Sequence, residues 1–194
     1  MTRHTIIYTR HGQTDWNAEL RFQGRRDIPL NEIGRGQAVQ NGRKLKDLLE
    51  NPDALDFVSS PLGRTRETME IIRREMSLPV EAYQIDDRLI EASYGDLEGT
   101  TLAEFKAQDR EAHQERKRNR WHFQPPGGES HDMVLKRVSK WADELQRDTV
   151  VAGHGVVGRA LRHLLAGIER DSAAAFPFPQ DKIFIWRDGK EELV

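Results

Sequence analysis

Three turns in this chain carry the residue types that phosphoryl transfer needs. Arg10-His11-Gly12 follows the β-rich run Thr5-Ile6-Ile7-Tyr8-Thr9, and Gly153-His154-Gly155 follows Thr149-Val150-Val151-Ala152. Ser59-Ser60 follows Leu55-Asp56-Phe57-Val58, with Arg64 one helical turn further on. Each apolar run reads as a strand, and each polar sequel as the loop leaving its carboxyl end. Ligands of open α/β sheets collect beyond those ends. Two arginines, two histidines and a helix N-terminus are therefore expected to face one cavity. Such a cavity suits an anion, because guanidinium forks match phosphate oxygens and free helix N–H groups add donors and positive potential.

An imidazole surrounded by cations loses its proton, since like charge disfavours the charged form. Neutral imidazole keeps a lone pair that can attack phosphorus in line. His11 is the candidate nucleophile, with Arg10 and Arg64 stabilising charge on the equatorial oxygens. The leaving alkoxide then needs a proton. Glu91, just beyond Leu89-Ile90, is the candidate donor, and afterwards the base for the water that cleaves the phosphohistidine. Taken singly, a histidine after a strand is more often a structural hydrogen-bonder, and Arg64 or Glu91 a solvated charge. The joint placement at strand ends is what carries the chemical reading.

The elements that must position these residues follow from pattern. A helix is predicted from Asn31, as N-cap, to Glu50, with Ala38, Leu45, Leu48 and Leu49 on one side. A second starts with Ser60 as N-cap and Pro61 at the first helical position, and runs to about Met76. A short strand is predicted over Pro79 to Tyr83. Thr101 to Glu104 has a capping-box pattern that opens a highly charged segment ending near Trp121. Pro125-Pro126-Gly127-Gly128 breaks the chain, and a helix with Val134, Val138, Trp141, Ala142 and Leu145 at helical spacing follows. Another runs from Gly155 through Leu165. Asp181 to Trp186 and Glu191 to Val194 flank the hairpin signal Asp188-Gly189. Strands alternating with helices imply an α/β fold, a mostly parallel twisted sheet with helices on both faces. The expected organisation is a single domain over 1–194, with a small helical cap as an excursion at about 95–128.

Composition narrows the classes further. The chain has 194 residues, enough for one well-filled core. A formal net charge of -2 argues against general nucleic-acid binding. Without cysteine, disulfides, thiolate catalysis and Cys-based zinc sites are excluded. No signal peptide or membrane-length apolar stretch is present, so a cytoplasmic protein with no membrane partner is expected. His4, His113, His131 and His163 show no metal-ligand spacing and receive no role.

The segment Tyr8-Thr9-Arg10-His11-Gly12-Gln13-Thr14-Asp15-Trp16-Asn17 resembles the signature of the histidine phosphatase superfamily, the phosphoglycerate mutase-like proteins. The match continues through Phe22-Gln23-Gly24, Asp27-Ile28-Pro29-Leu30 and Gly34 to Ala38. It resumes at Ser59 to Thr68, Leu89-Ile90-Glu91, Gly95, Glu98-Gly99, Pro126 to Ser130 and Gly153-His154-Gly155. The resemblance implies a covalent phosphohistidine on His11 and Glu91 as proton donor. It implies a phosphate pocket of Arg10, Arg64 and His154, joined by Asn17, Gln23, Gly24 and Gly155. Neither metal nor organic cofactor is implied. Two positions depart from the common pattern. Gln13 stands where glutamate is usual, and Gln180-Asp181 where an asparagine often precedes the last long strand. Neither is expected to touch the chemistry.

The superfamily divides by phosphoryl acceptor, which is either water or a second hydroxyl of a sugar acid. Mutases of this kind carry longer cap insertions and a C-terminal tail that closes the site against water. Only a turn and a few residues follow Trp186 here, and Pro-Gly-Gly-Glu-Ser resembles the phosphatase branch. The expected activity is hydrolysis of a small phosphorylated substrate. A phosphoglycerate mutase and a non-catalytic phospho-ligand-binding module are the alternatives, and a homodimer is left open. In the segment Arg110 to Arg120, the cations alternate with Glu111 and Glu115 and read as a solvated helix face. The functional alternative is that one or two of them hold a second anionic group of the substrate.

Overall fold

The computed structural model describes residues 4–194. Six strands form one mixed, mostly parallel sheet. They are β1 (Ile6–Arg10), β2 (Asp56–Ser59), β3 (Gln84–Ile85), β4 (Thr149–Gly153), β5 (Ile183–Arg187) and β6 (Lys190–Leu193), in the spatial order β3-β2-β4-β1-β5-β6. β1, β2 and β3 run parallel to their neighbours through β4 and β2. β5 and β6 are antiparallel.

Side chains alternate across the central strands and so divide the core. Ile6, Tyr8 and Val151 face one cluster, while Ile7, Val150 and Ala152 face the other. α2 (Glu32–Leu48) and α3 (Gly63–Glu75) cover the second face with Leu45, Met69 and Ile72. α6 (His131–Asp143) and α7 (Gly155–Ala166) cover the first with Val134, Val138, Trp141, Val157 and Leu161. Each wholly buried aliphatic side chain contributes about 1.5–3 kcal/mol relative to exposure. The remaining α-helices among the described residues are α1 (Asp15–Ala18), α4 (Leu102–Gln108), α5 (Arg110–Arg118) and α8 (Arg170–Ala175).

The helix starts follow their caps. Asn31 accepts from Gly34 N at 2.9 Å, Ser130 from Met133 N at 3.3 Å, and Asp109 from Ala112 N at 2.9 Å. The Thr101–Glu104 capping box forms as predicted. Asp109 divides the charged segment into α4 and α5, and Leu97, Phe105 and Phe123 form a small apolar cluster beneath them.

Two elements depart from the sequence expectation. α3 begins at Gly63, not at Pro61, and Leu62 is its N-cap position. Ser60 is drawn instead to His154, with Oγ 2.7 Å from Nε2, and the Asp27 carboxylate accepts from Gly63 N at 2.8 Å. The strand expected over Pro79 to Tyr83 is a turn. The Pro79 carbonyl is occupied by Arg73 Nε at 2.8 Å, and sheet pairing starts only where Gln84 meets Val58. The short helices α1 and α8 carry too little periodicity to be read in advance.

The loop leaving β1 is held by backbone-to-backbone contact. A Cβ on Gly34 would lie 2.1 Å from Gln13 O, and one on Gly12 would lie 2.1 Å from Gly34 O. Glycine at both positions lets the first turn of α2 clamp the loop that carries His11.

Candidate active site

β1, β2 and β4 end side by side, and their sequels meet. His11 is 3 % exposed, and His154 and Arg64 are buried with it. The His11 and His154 rings lie 5.2 Å apart between centroids. Arg64 binds both, with Nε 3.2 Å from His11 Nε2 and Nη2 3.3 Å from His154 Nδ1. Its remaining donors reach Arg26 O at 2.7 Å and Gly24 O at 2.8 Å. The guanidinium is thus fixed by carbonyls on one side and imidazoles on the other.

Arginine can only donate, so these contacts settle both tautomers. His11 Nδ1 lies 2.7 Å from the Gly12 carbonyl and must carry the proton. Its Nε2 then presents a lone pair. His154 accepts at Nδ1 and donates from Nε2 to Ser60 Oγ. Burial, and then the charges of Arg64 and Arg10, hold the His11 pKa well below 6.5. His154 is pushed down in the same way, first by burial and then by Arg64. Burial also lowers Arg64, to about 10.

Arg10 donates from Nη1 to Phe178 O at 2.9 Å, while its buried Nε has no partner. Glu91 is nearly buried and lies at the N-terminus of α7, where Val156 N donates to both carboxylate oxygens at 3.2 Å. The Gln23 amide satisfies its neighbours with nitrogen toward Thr14 Oγ1 at 2.7 Å and oxygen toward Arg64 Nη1 at 3.1 Å and Nε at 3.2 Å.

These groups open on a cavity of about 420 Å³. Arg10, His11, Asn17, Gln23, Gly24 and Arg64 line it, together with Glu91 and Gly155. His154 is not on the wall; it stands behind Arg64. Sequence reading missed other wall residues. Gln180 was not expected to touch the chemistry, yet it lines the cavity and donates to His11 O at 3.1 Å and Asn17 Oδ1 at 2.9 Å. Arg159, on the buried face of α7, lines it too, with a pKa that burial lowers to about 10. Its signal in the sequence is an arginine one turn after Gly155, following the small and apolar residues Val156, Val157 and Gly158.

The α5 cations do not form a uniformly solvated face. Arg110, Lys117 and Arg118 are exposed, but Arg116 lies 5.1 Å above the Phe22 ring, and Arg116 and Arg120 line the cavity. Among the described residues, no Asp or Glu forms an ion pair with Arg10, Arg116, Arg120 or Arg159. His131, given no role from sequence, is buried against Trp121 at 5.5 Å, and its Nε2 has no partner.

At the mouth, α1 ends in a Schellman motif: Leu20 N donates to Asn17 O at 3.2 Å and Arg21 N to Trp16 O at 2.9 Å. The left-handed position of this motif, φ +58°, is filled by Leu20, which is 80 % exposed. A leucine there costs about 1–2 kcal/mol relative to a right-handed conformation.

The family model described as the histidine phosphatase superfamily (branch 1) matches residues 6–190. A 2,3-bisphosphoglycerate-dependent phosphoglycerate mutase of Chelativorans sp. is 33 % identical over 173 residues, covering 84 % of this chain and 82 % of the mutase. The bifunctional protein Rv2228c of Mycobacterium tuberculosis is 35 % identical over 153 residues, covering 77 % of this chain, which spans only 38 % of that protein. Among solved structures, mycobacterial glucosyl-3-phosphoglycerate phosphatase Rv2419c superimposes with a TM-score of 0.80 at 26 % identity, covering 98 % of this chain and 96 % of its own.

Proposed function

The chain belongs to the histidine phosphatase superfamily (branch 1), and from that premise we propose that it is a metal-independent phosphomonoesterase acting on a small phosphorylated metabolite. The observation that carries this reading is the state of His11, which is neutral and protonated on Nδ1 by the Gly12 contact, with the Nε2 lone pair beside Arg64. As the phosphoryl oxygens take over the Arg64 Nε–H that His11 Nε2 accepts in the resting site, the freed Nε2 lone pair attacks phosphorus in line and the ester P–O bond breaks. Arg10 and Arg64, with Asn17 and the N-terminus of α7 at Gly155, take up charge on the equatorial oxygens. Glu91 gives its proton to the leaving alkoxide. It then accepts a proton from the water whose oxygen attacks phosphorus, and the P–N bond breaks to release inorganic phosphate. His154 acts from behind by orienting Arg64.

The substrate class is suggested by Arg116, Arg120 and Arg159. Cations without carboxylate partners on one cavity wall suit a second anionic group, a carboxylate or a further phosphate. The neighbours named above as a glucosyl-3-phosphoglycerate phosphatase and a phosphoglycerate mutase agree with a phosphorylated sugar acid.

The test is p-nitrophenyl phosphate hydrolysis in EDTA, with and without His11→Ala. Turnover should persist in the chelator and fall roughly a thousandfold or more in the variant. An acid quench during turnover should recover acid-labile phosphoenzyme. Retained activity in His11→Ala removes the proposed nucleophile. Phosphoglycerate isomerisation stimulated by 2,3-bisphosphoglycerate, without hydrolysis, replaces the phosphatase reading with the mutase one.

A further inference from the structure

The same cavity also presents exposed apolar side chains. Leu20 and Leu102 both line it and are 80 % and 45 % exposed. They come from distant parts of the chain and are brought together by pairing. Arg21 and Thr101 form an antiparallel bridge, and Phe22 N donates to Thr100 O at 2.8 Å in the same register. The bridge brings the end of α1, with Leu20, beside the start of α4, with Leu102, and both leucines line the same cavity. The link is braced, since Arg21 is held by Glu19 at 2.6 Å, Gly99 O at 2.7 Å and Glu104 at 3.3 Å.

Leu20 is the wrong residue for its place on grounds of folding alone. The left-handed seat of a Schellman motif favours glycine. Water does not reward an exposed leucine there, and the side chain is not in the core. A strained backbone position at the rim of a reactive cavity is where function repays such a cost.

We propose that Leu20 and Leu102 form a specificity lip that holds an apolar part of the substrate's leaving group in the cavity that the arginines also line. This inference rests on the phosphatase reading and deepens it: the preferred ester joins an anionic end to an apolar stretch of carbon or ring. The occupant is the substrate, because the lip is continuous with the cavity that holds His11 and Glu91.

The test compares KM for 1-naphthyl phosphate and for glycerol 3-phosphate in the wild-type protein, Leu20→Gly and Leu102→Ala. Glycine suits the left-handed seat, so Leu20→Gly should melt at the same temperature or higher. The ratio of KM values, naphthyl over glycerol ester, should rise about three- to tenfold in Leu20→Gly and in the same direction in Leu102→Ala. An unchanged ratio in both variants overturns the lip. So does an unchanged ratio together with loss of concentration-dependent self-association in Leu20→Gly, which would make the pair an interface between copies. If the wild-type protein hydrolyses neither ester, the phosphatase reading itself fails and takes the lip with it.

Discussion

His11 and His154 carry their protons on opposite ring nitrogens, His11 on Nδ1 and His154 on Nε2, because Arg64 occupies the other nitrogen of each. Protonating either ring in the resting site would set a cation against a guanidinium. His131, pushed down first by burial and then by Arg159, belongs to the same set. A pH dependence with a defined sign follows. For all three, the folded pKa lies below the unfolded value of about 6.5. The unfolded chain therefore binds more protons below that pH, and stability falls as pH falls through the window beneath 6.5. Each ring adds a slope of about 1.4 kcal/mol per pH unit within its window. Melting temperature should drop from pH 7 to pH 5, and His131→Gln should flatten the slope by about a third. The kcat/KM profile should lack an acid limb near 6.5 due to the nucleophile, because His11 remains neutral there. At this scale the sequence was informative where a residue leaves a strand end. Arg10, His11, Arg64 and Gly155 are placed by their neighbours along the chain. Gln180 and Arg159 were not legible, since a loop glutamine and a helix arginine acquire meaning only from what folds beside them.

α7 shows how a single element ties the site to the core. Gly158 on its buried face faces the Phe178 ring, and a Cβ there would come within 2.4 Å of Cζ. The carbonyl of the same Phe178 receives Arg10 Nη1. Gly158→Ala must therefore push the ring and shift the anchor of Arg10. The expected result is a loss of about 1–3 kcal/mol in denaturant unfolding, together with a rise in KM for any phosphate ester. Gly158→Ala with wild-type KM would separate Phe178 from the site. The helices were legible where a side chain caps its own helix, as Asn31 does. They were misread where a tertiary partner takes the capping group. Ser60 followed by Pro61 has the local form of a helix start, but His154 claims its hydroxyl and Asp27, far back in the chain, caps Gly63 instead. The strand expected over Pro79 to Tyr83 failed for a related reason, since the Pro79 carbonyl serves Arg73.

Across the whole molecule, charge is unevenly distributed. The chain carries a formal net charge of -2, yet one cavity collects Arg10, Arg64, Arg116, Arg120 and Arg159. An anion that enters relieves repulsion among these groups and binds the folded state alone. Inorganic phosphate at about a hundred times its Kd should add about 2.7 kcal/mol, read as a rise in Tm of about 5–11 °C for a chain of this size. Chloride at equal ionic strength should give far less, and an equal rise would reduce the effect to screening. The alternation of strands and helices made the α/β class legible from the chain. The position of the leucine pair was not, because it depends on a register between Arg21 and Thr101 that no local pattern encodes. The sheet itself terminates abruptly. One flank is the two-residue β3, and the other, β6, presents Lys190, Glu191 and Glu192. A flank that short, or that rich in charge, offers a poor template for lateral backbone pairing by a neighbouring molecule. Crowded solutions of the folded protein should accordingly resist fibrillar growth.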